Sequence, residues 1–148
     1  MTYSPTLSYG LAAYYLLTAF IIAIIWMIIA RKEYEYNKNF PKIFGLSMFP
    51  LLGWAFGLFL MMIIFNYIEH IFFLKRFAIQ LLVFLAVYWI LLLTAETIGY
   101  HVFHIHNEHG AQYGGIPILD VIHAVWWMKI AYFALGPIMF ITCKIIGI

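Results

Sequence analysis

Four long apolar stretches, joined by polar or glycine-containing connections, constrain this chain more than any other feature. Leu11–Ala30 (LAAYYLLTAFIIAIIWMIIA) carries no charge and is about 20 residues long, enough to cross the ~30 Å of hydrocarbon in a bilayer. Phe44–Tyr67, Phe77–Gly99 and Pro117–Cys143 have similar length and character. A backbone in lipid finds no water to bond, so each such run is expected to be a helix. The expected fold is an all-α integral membrane protein, a four-transmembrane-helix bundle with short loops, forming one membrane domain over residues 1–148.

Composition agrees and excludes other classes. The chain is 66% hydrophobic and 9% charged, whereas soluble domains are about 45–50% apolar and about 25% charged. A net charge of +2, with no basic run interleaved with aromatics, argues against a nucleic-acid partner. Cys143 is the only cysteine, which excludes an internal disulfide and a thiolate zinc cluster and leaves a small packing residue. MTYSPTLSYG, before the first apolar run, has no Lys or Arg, and that run exceeds the about 7–15 residues of a signal peptide's apolar region. A retained helix is therefore expected.

Ser8 and Gly10 suit the start of the first span, and Tyr14, Tyr15 and Trp26 are expected near the bilayer interfaces. The segment RKEYEYNKNFPK holds Arg31, Lys32, Lys38 and Lys42 and reads as a solvated loop closed by Pro41. Pro50 is expected to kink the second span, because proline removes a backbone donor and crowds the preceding turn. Gly53 and Gly57 are four apart and offer a face for close helix approach. Glu69 and His70 read as an interface pair beside Lys75 and Arg76. Gly114 and Gly115 punctuate the last connection, and Pro117 suits the first turn of a fourth helix. Four spans put both termini on one side and bring the first loop and the last loop together on the other. The Lys/Arg bias assigns those two loops to the cytoplasm, with Lys144 counting against it.

Ionisable groups concentrate in Ala95–Met128, which holds five of the six histidines (His101, His104, His106, His109, His123) and three of the six carboxylates (Glu96, Glu108, Asp120). Such groups beside or inside lipid are costly and mark function. Glu96, His101, His104, Asp120 and His123 are all expected at one membrane face. Asp120 and His123 have the i, i+3 spacing that shares a helical face, which His101 and His104 repeat if the third span continues past Gly99. Imidazoles and carboxylates from facing helices are how bundles hold iron, copper, zinc or manganese. Those five residues form the candidate metal set, and His101, His123 and Trp127 are the candidate contacts to a haem or similar cofactor. The N-terminus of a fourth helix would favour an ionised Asp120 and a neutral, ligand-competent His123 by roughly 0.3–1 kcal/mol. The spacing matches neither HExxH, nor the histidine boxes of membrane desaturases, nor paired ExxH helices.

Three functions compete. The first is a redox or metal-dependent membrane protein built on that set. The second is a metal-free enzyme of a lipid, isoprenoid or carotenoid, with Glu96 or Asp120 as proton donor, a role that suits a desolvated carboxyl. The ExxG of Glu96–Gly99 and the GGxP of Gly114–Pro117 are similar to motifs of the membrane carotenoid hydratases, over roughly a quarter of the chain and with a shorter spacing, a likeness short of membership. The third is an accessory subunit embedded in the lipid bilayer within a homo-oligomer or larger membrane complex. Simpler roles stand beside these. His106 and His109 read as solvated loop residues, and Glu96 and Asp120 as structural partners of His101 and His123. Lys129 reads as snorkelling or pairing with an acid such as Glu96. Trp126 and Trp127 read as packing and lipid contacts. Gln80, Thr94 and Asn66 are too scattered to form the polar stripe of a channel.

Overall fold

The computed structural model of the chain describes residues 8–147. The element order is α1 (Tyr9–Ala30), a small hairpin of β1 (Lys42–Ile43) and β2 (Leu46–Ser47), α2 (Met48–Phe72), α3 (Phe77–Thr97) continued by a π-helical turn (Ile98–Val102), and α4 (Trp126–Ile146). The four helices Tyr9–Ala30, Met48–Phe72, Phe77–Val102 and Trp126–Ile146 are long and apolar enough to cross a membrane.

Local chemistry sets the helix ends. Ser8 caps α1 by accepting the Leu11 N–H at 3.2 Å, which satisfies one of the free donors of the first turn. Because α2 starts at Met48, Pro50 falls in its first turn, where the missing N–H has no helical partner to lose. The expected kink at Pro50 therefore has no cause. Phe73 ends α2 with a left-handed backbone (φ 48°) and returns its N–H to the Glu69 carbonyl.

The proline that matters is Pro137, inside α4. It leaves the Phe133 carbonyl, four residues earlier, without its helical donor. Trp89 of α3 supplies one, its indole N–H donating to Phe133 O at 3.2 Å, and the Tyr88 hydroxyl donates to the adjacent Tyr132 carbonyl. Re-satisfying the broken backbone in this way stitches α3 to α4. Gly136 makes the contact possible, since a Cβ there would lie 2.5 Å from the Tyr88 ring. Gly53 and Gly57, expected to serve as the close-approach face, have nothing within 4 Å of a Cβ position.

The core has two aromatic centres. Phe65, Phe84 and Phe140 pack together, with ring centroids 4.9–5.4 Å apart. Nearer the other end Trp26 meets Tyr34, Trp54, Trp127 and Tyr132 edge-on. Tyr15 and Trp26 are buried within the bundle.

The largest departure from expectation is the fourth helix. It begins at Trp126, not Pro117, and Phe103–Val125 is irregular. The left-handed backbone at His104 (φ 52°), Ile118 (φ 78°), Asp120 (φ 49°) and Ile122 (φ 56°) rules out a helix there. A turn closes instead, with Asp120 N–H donating to Ile116 O at 2.9 Å and Ile116 N–H to Val121 O at 2.8 Å. The connections are thus not all short.

That long segment locks onto the connection after α1, and the two cap one end of the bundle. Asn37 donates from its side chain to His104 O (3.0 Å) and accepts from His106 N–H (2.9 Å). Asn107 reciprocates, donating to Glu33 O (2.7 Å) and accepting from Glu35 N–H (3.1 Å). Lys38 adds a bond to Phe103 O at 2.8 Å. RKEYEYNKNFPK is therefore an anchored strap rather than a free solvated loop. Its Glu33-Tyr34-Glu35-Tyr36 alternation is the period-two pattern of an extended segment with one buried side. Tyr34 is buried, Glu35 exposed, and Tyr36 bridges Asn107.

At the opposite end Glu69 pairs with Lys144 at 3.1 Å and accepts from Gln80, and makes no ion pair with Lys75 or Arg76. A depression of about 410 Å³ lies beside it, lined by Asn66, Glu69, His70, Phe73, Leu74 and Lys75.

Candidate functional site

The histidine-rich cap gathers ionisable residues and bonds four of its five histidine rings to carbonyl or carboxylate oxygens. His123 lies in the loop before α4, where its Nδ1 meets Tyr113 O at 2.9 Å and its Nε2 meets Asp120 Oδ1 at 3.1 Å and Asp120 O at 3.2 Å. Both ring nitrogens face oxygen atoms, so neither is directed at an open coordination position. The His101 ring donates to Leu119 O at 2.9 Å, and the His106 ring to Tyr100 O at 3.2 Å. His109 pairs with Glu33 at 3.2 Å. His104 is exposed on a left-handed backbone. Tyr100 is stacked between His106 and His123, with centroid distances of 4.2 and 4.9 Å.

Two glycines shape this cap. A Cβ on Gly110 would lie 1.8 Å from the His123 carbonyl oxygen, and one on Gly115 would lie 2.7 Å from Asp120 Oδ1 and 2.9 Å from His123 Nε2. Asp120 and His123 do meet, as their spacing suggested, but through a tight turn and not along a helix face. The helix-dipole argument for a neutral His123 falls with that helix. Lys129, in the first turn of α4, donates to Gly114 O and does not reach Glu96.

Glu96, His101, His104, Asp120 and His123 therefore do not form a ligand set. Among the described residues no three His, Cys, Asp or Glu side chains converge to hold a metal ion. His101 commits one ring nitrogen to Leu119 O, both ring nitrogens of His123 face oxygen atoms, and Trp127 packs edge-on against Trp26 at 5.9 Å. Asp120, with a side chain 70% exposed, lies on the surface of the cap.

Glu96 is placed elsewhere. Together with Tyr36, Phe49, Gly53, Trp54, Gly57, Tyr88, Tyr100 and Tyr132 it lines a cleft of about 500 Å³ between α2 and α3. Exposed Gly53, Gly57, Leu60, Leu91 and Ala95 lie along its mouth, on the outer surface of the bundle. Tyr36, Phe49, Tyr100 and Ile105 close it at the capped end. The absent side chains of Gly53 and Gly57 make part of its volume. The Glu96 carboxyl has no hydrogen-bond or ion-pair partner among the described residues.

Beside Glu96 stands a polar chain that composition alone does not reveal. The Tyr34 hydroxyl accepts the indole N–H groups of Trp26 (3.0 Å) and Trp54 (2.9 Å) and lies 3.0 Å from the Tyr132 hydroxyl. Burial raises the Tyr34 hydroxyl above the usual phenol range, against the lowering effect of its hydrogen bonds, so it stays protonated at physiological pH. Tyr36 is raised in the same direction, first by burial and then by neighbouring Tyr34 and Glu96. These residues are far apart in sequence, and only the alternation in KEYEY signals that a tyrosine there turns inward. Comparison with family models, with curated proteins and with solved structures finds no match to this chain.

Proposed function

We propose that this is a multi-pass integral membrane protein that admits an apolar, lipid- or isoprenoid-like molecule into the cleft between α2 and α3, where Glu96 acts on it as a general acid and base. The observation that carries the reading is a carboxyl lining a largely apolar cleft with no polar partner of its own. Ligand sites of this size are mostly apolar with a few placed polar groups. An ionisable side chain within a membrane span is costly and is a functional candidate by default. A carboxyl committed to no ion pair remains free to give or take a proton. The open side of the cleft faces the region lipid would occupy, so the molecule enters laterally. The excess of Lys and Arg on the strap puts the cap on the cytoplasmic side.

The test reads proton transfer without naming the substrate. Purified protein is incubated in deuterated water with a total extract of membrane lipids, and the lipids are then analysed by mass spectrometry. The wild type is expected to introduce carbon-bound deuterium into one apolar species, and Glu96→Gln to introduce none while still retaining that species on purification. Equal labelling by both proteins removes Glu96 from the chemistry, and no labelling by the wild type removes the enzyme reading.

A further inference from the structure

The hydrogen-bond direction around Tyr34 specifies a property of the molecule the cleft receives. A hydroxyl offers one proton and two lone pairs, whereas an indole N–H can only donate. Trp26 and Trp54 therefore fill both lone pairs of Tyr34, and its proton goes to the remaining partner, the Tyr132 oxygen at 3.0 Å. Tyr132 becomes the acceptor of that bond, so its own proton needs an acceptor, and it has none among the described residues. Apart from the unpaired Glu96 carboxyl, which makes no bond to Tyr132, three other polar groups in the wall are already committed. Tyr88 donates to the Tyr132 carbonyl, the Thr94 hydroxyl to Ile90 O at 2.7 Å, and the Trp54 indole to Tyr34. Tyr36 and Tyr100, both half-buried, also line the cleft, at its capped end.

We infer that the ligand of this cleft carries an oxygen acceptor, a carbonyl or hydroxyl on an otherwise apolar body, and that the Tyr132 hydroxyl binds that oxygen. The inference rests on the cleft being a binding site for an apolar molecule and adds its head group. The Tyr132 hydroxyl donates to no group of the wall, Glu96 included, so a pure hydrocarbon would leave its proton unpartnered, a cost that an oxygen acceptor removes. Tyr34 is a positioning residue: it fixes which way the Tyr132 proton points, and it does not touch the ligand.

The probes are farnesal and farnesene, which share an isoprenoid chain and differ in the head oxygen. Binding to the detergent-purified full chain is followed by tryptophan fluorescence, since Trp54 lines the cleft. The wild type is expected to bind farnesal about tenfold more tightly than farnesene, the worth of one well-placed hydrogen bond. Tyr132→Phe, with unchanged helical circular dichroism, is expected to abolish the preference and leave farnesene affinity as it was. Tyr34→Phe keeps the Tyr132 hydroxyl but frees its direction, and is expected to lower the preference by a smaller factor. A preference that survives Tyr132→Phe, or that disappears in Tyr36→Phe or Tyr100→Phe instead, overturns the assignment. Equal binding of both probes by the wild type overturns it while leaving the cleft reading intact. Binding of neither probe overturns both.

Discussion

The cap and the cleft sit side by side at one end of the bundle and use ionisable residues in opposite ways. The cap holds the five clustered histidines, yet His101, His106, His109 and His123 each have a ring nitrogen on a carbonyl or carboxylate. The cleft holds a single carboxyl, and it is unpaired. A dense cluster of titratable groups can therefore be a fastening, while a lone one in apolar surroundings has its bonding capacity left over for a ligand. What identifies the site is unused capacity, not local density.

The sharpest way to break this comparison is to disrupt the fastening. Gly110→Ala drives a Cβ into the His123 carbonyl oxygen, and a backbone atom cannot swing away. We expect it to cost on the order of 3 kcal/mol or more, read as a large fall in thermal midpoint. Asn107→Ala comes next. It leaves Glu33 O and Glu35 N–H without their partner, at about 1–3 kcal/mol, and should raise proteolytic nicking near Asn37. If Asn107→Ala is as stable as the wild type, the cap is not fastened as described.

The cleft should respond differently. Gly53→Leu projects into open space, so it should leave the thermal midpoint within ~1 kcal/mol of wild type while displacing the probe from the cleft. A large loss of stability would mean that another helix does use that face. Glu96→Gln sharpens the contrast further. With no ion pair to lose, stability should change by less than ~1 kcal/mol, while deuterium incorporation disappears. The smallest effect belongs to Asp120→Asn in the cap. An exposed pair with His123 is worth about 0–1 kcal/mol, and deuterium incorporation should be unaltered. Loss of labelling in Asp120→Asn would return the chemistry to the cap.

Parts of both regions were readable from residue order. The chain pattern placed the strap and the histidine-rich segment at the same end, and their asparagines join them there. Asp120 and His123 were correctly paired, although the helix assumed for them is absent. Periodicity could not show that Ile118, Asp120 and Ile122 adopt left-handed backbone, because β-branched isoleucine disfavours it and aspartate only tolerates it. Gly53 and Gly57 looked like a packing face and prove to be wall, while Gly136, opposite Tyr88, does the close packing. A glycine records only that a side chain is absent; what uses the space depends on the neighbouring helix.

By itself the sequence determined that four apolar helices form, where the first and third lie to within a few residues, and which end gathers the histidines, because burial of backbone and apolar surface depends on composition over tens of residues. The second starts at Met48, after the small hairpin, and not at Phe44. Tertiary structure alone decided which ionisable groups are satisfied. Whether His123 meets Tyr113 O, Trp89 meets the carbonyl freed by Pro137, or Glu96 meets nothing depends on positions set to within an ångström by residues distant in the chain. Hydrogen bonding is directional and short-ranged, so it is settled only once the helices and the cap have packed.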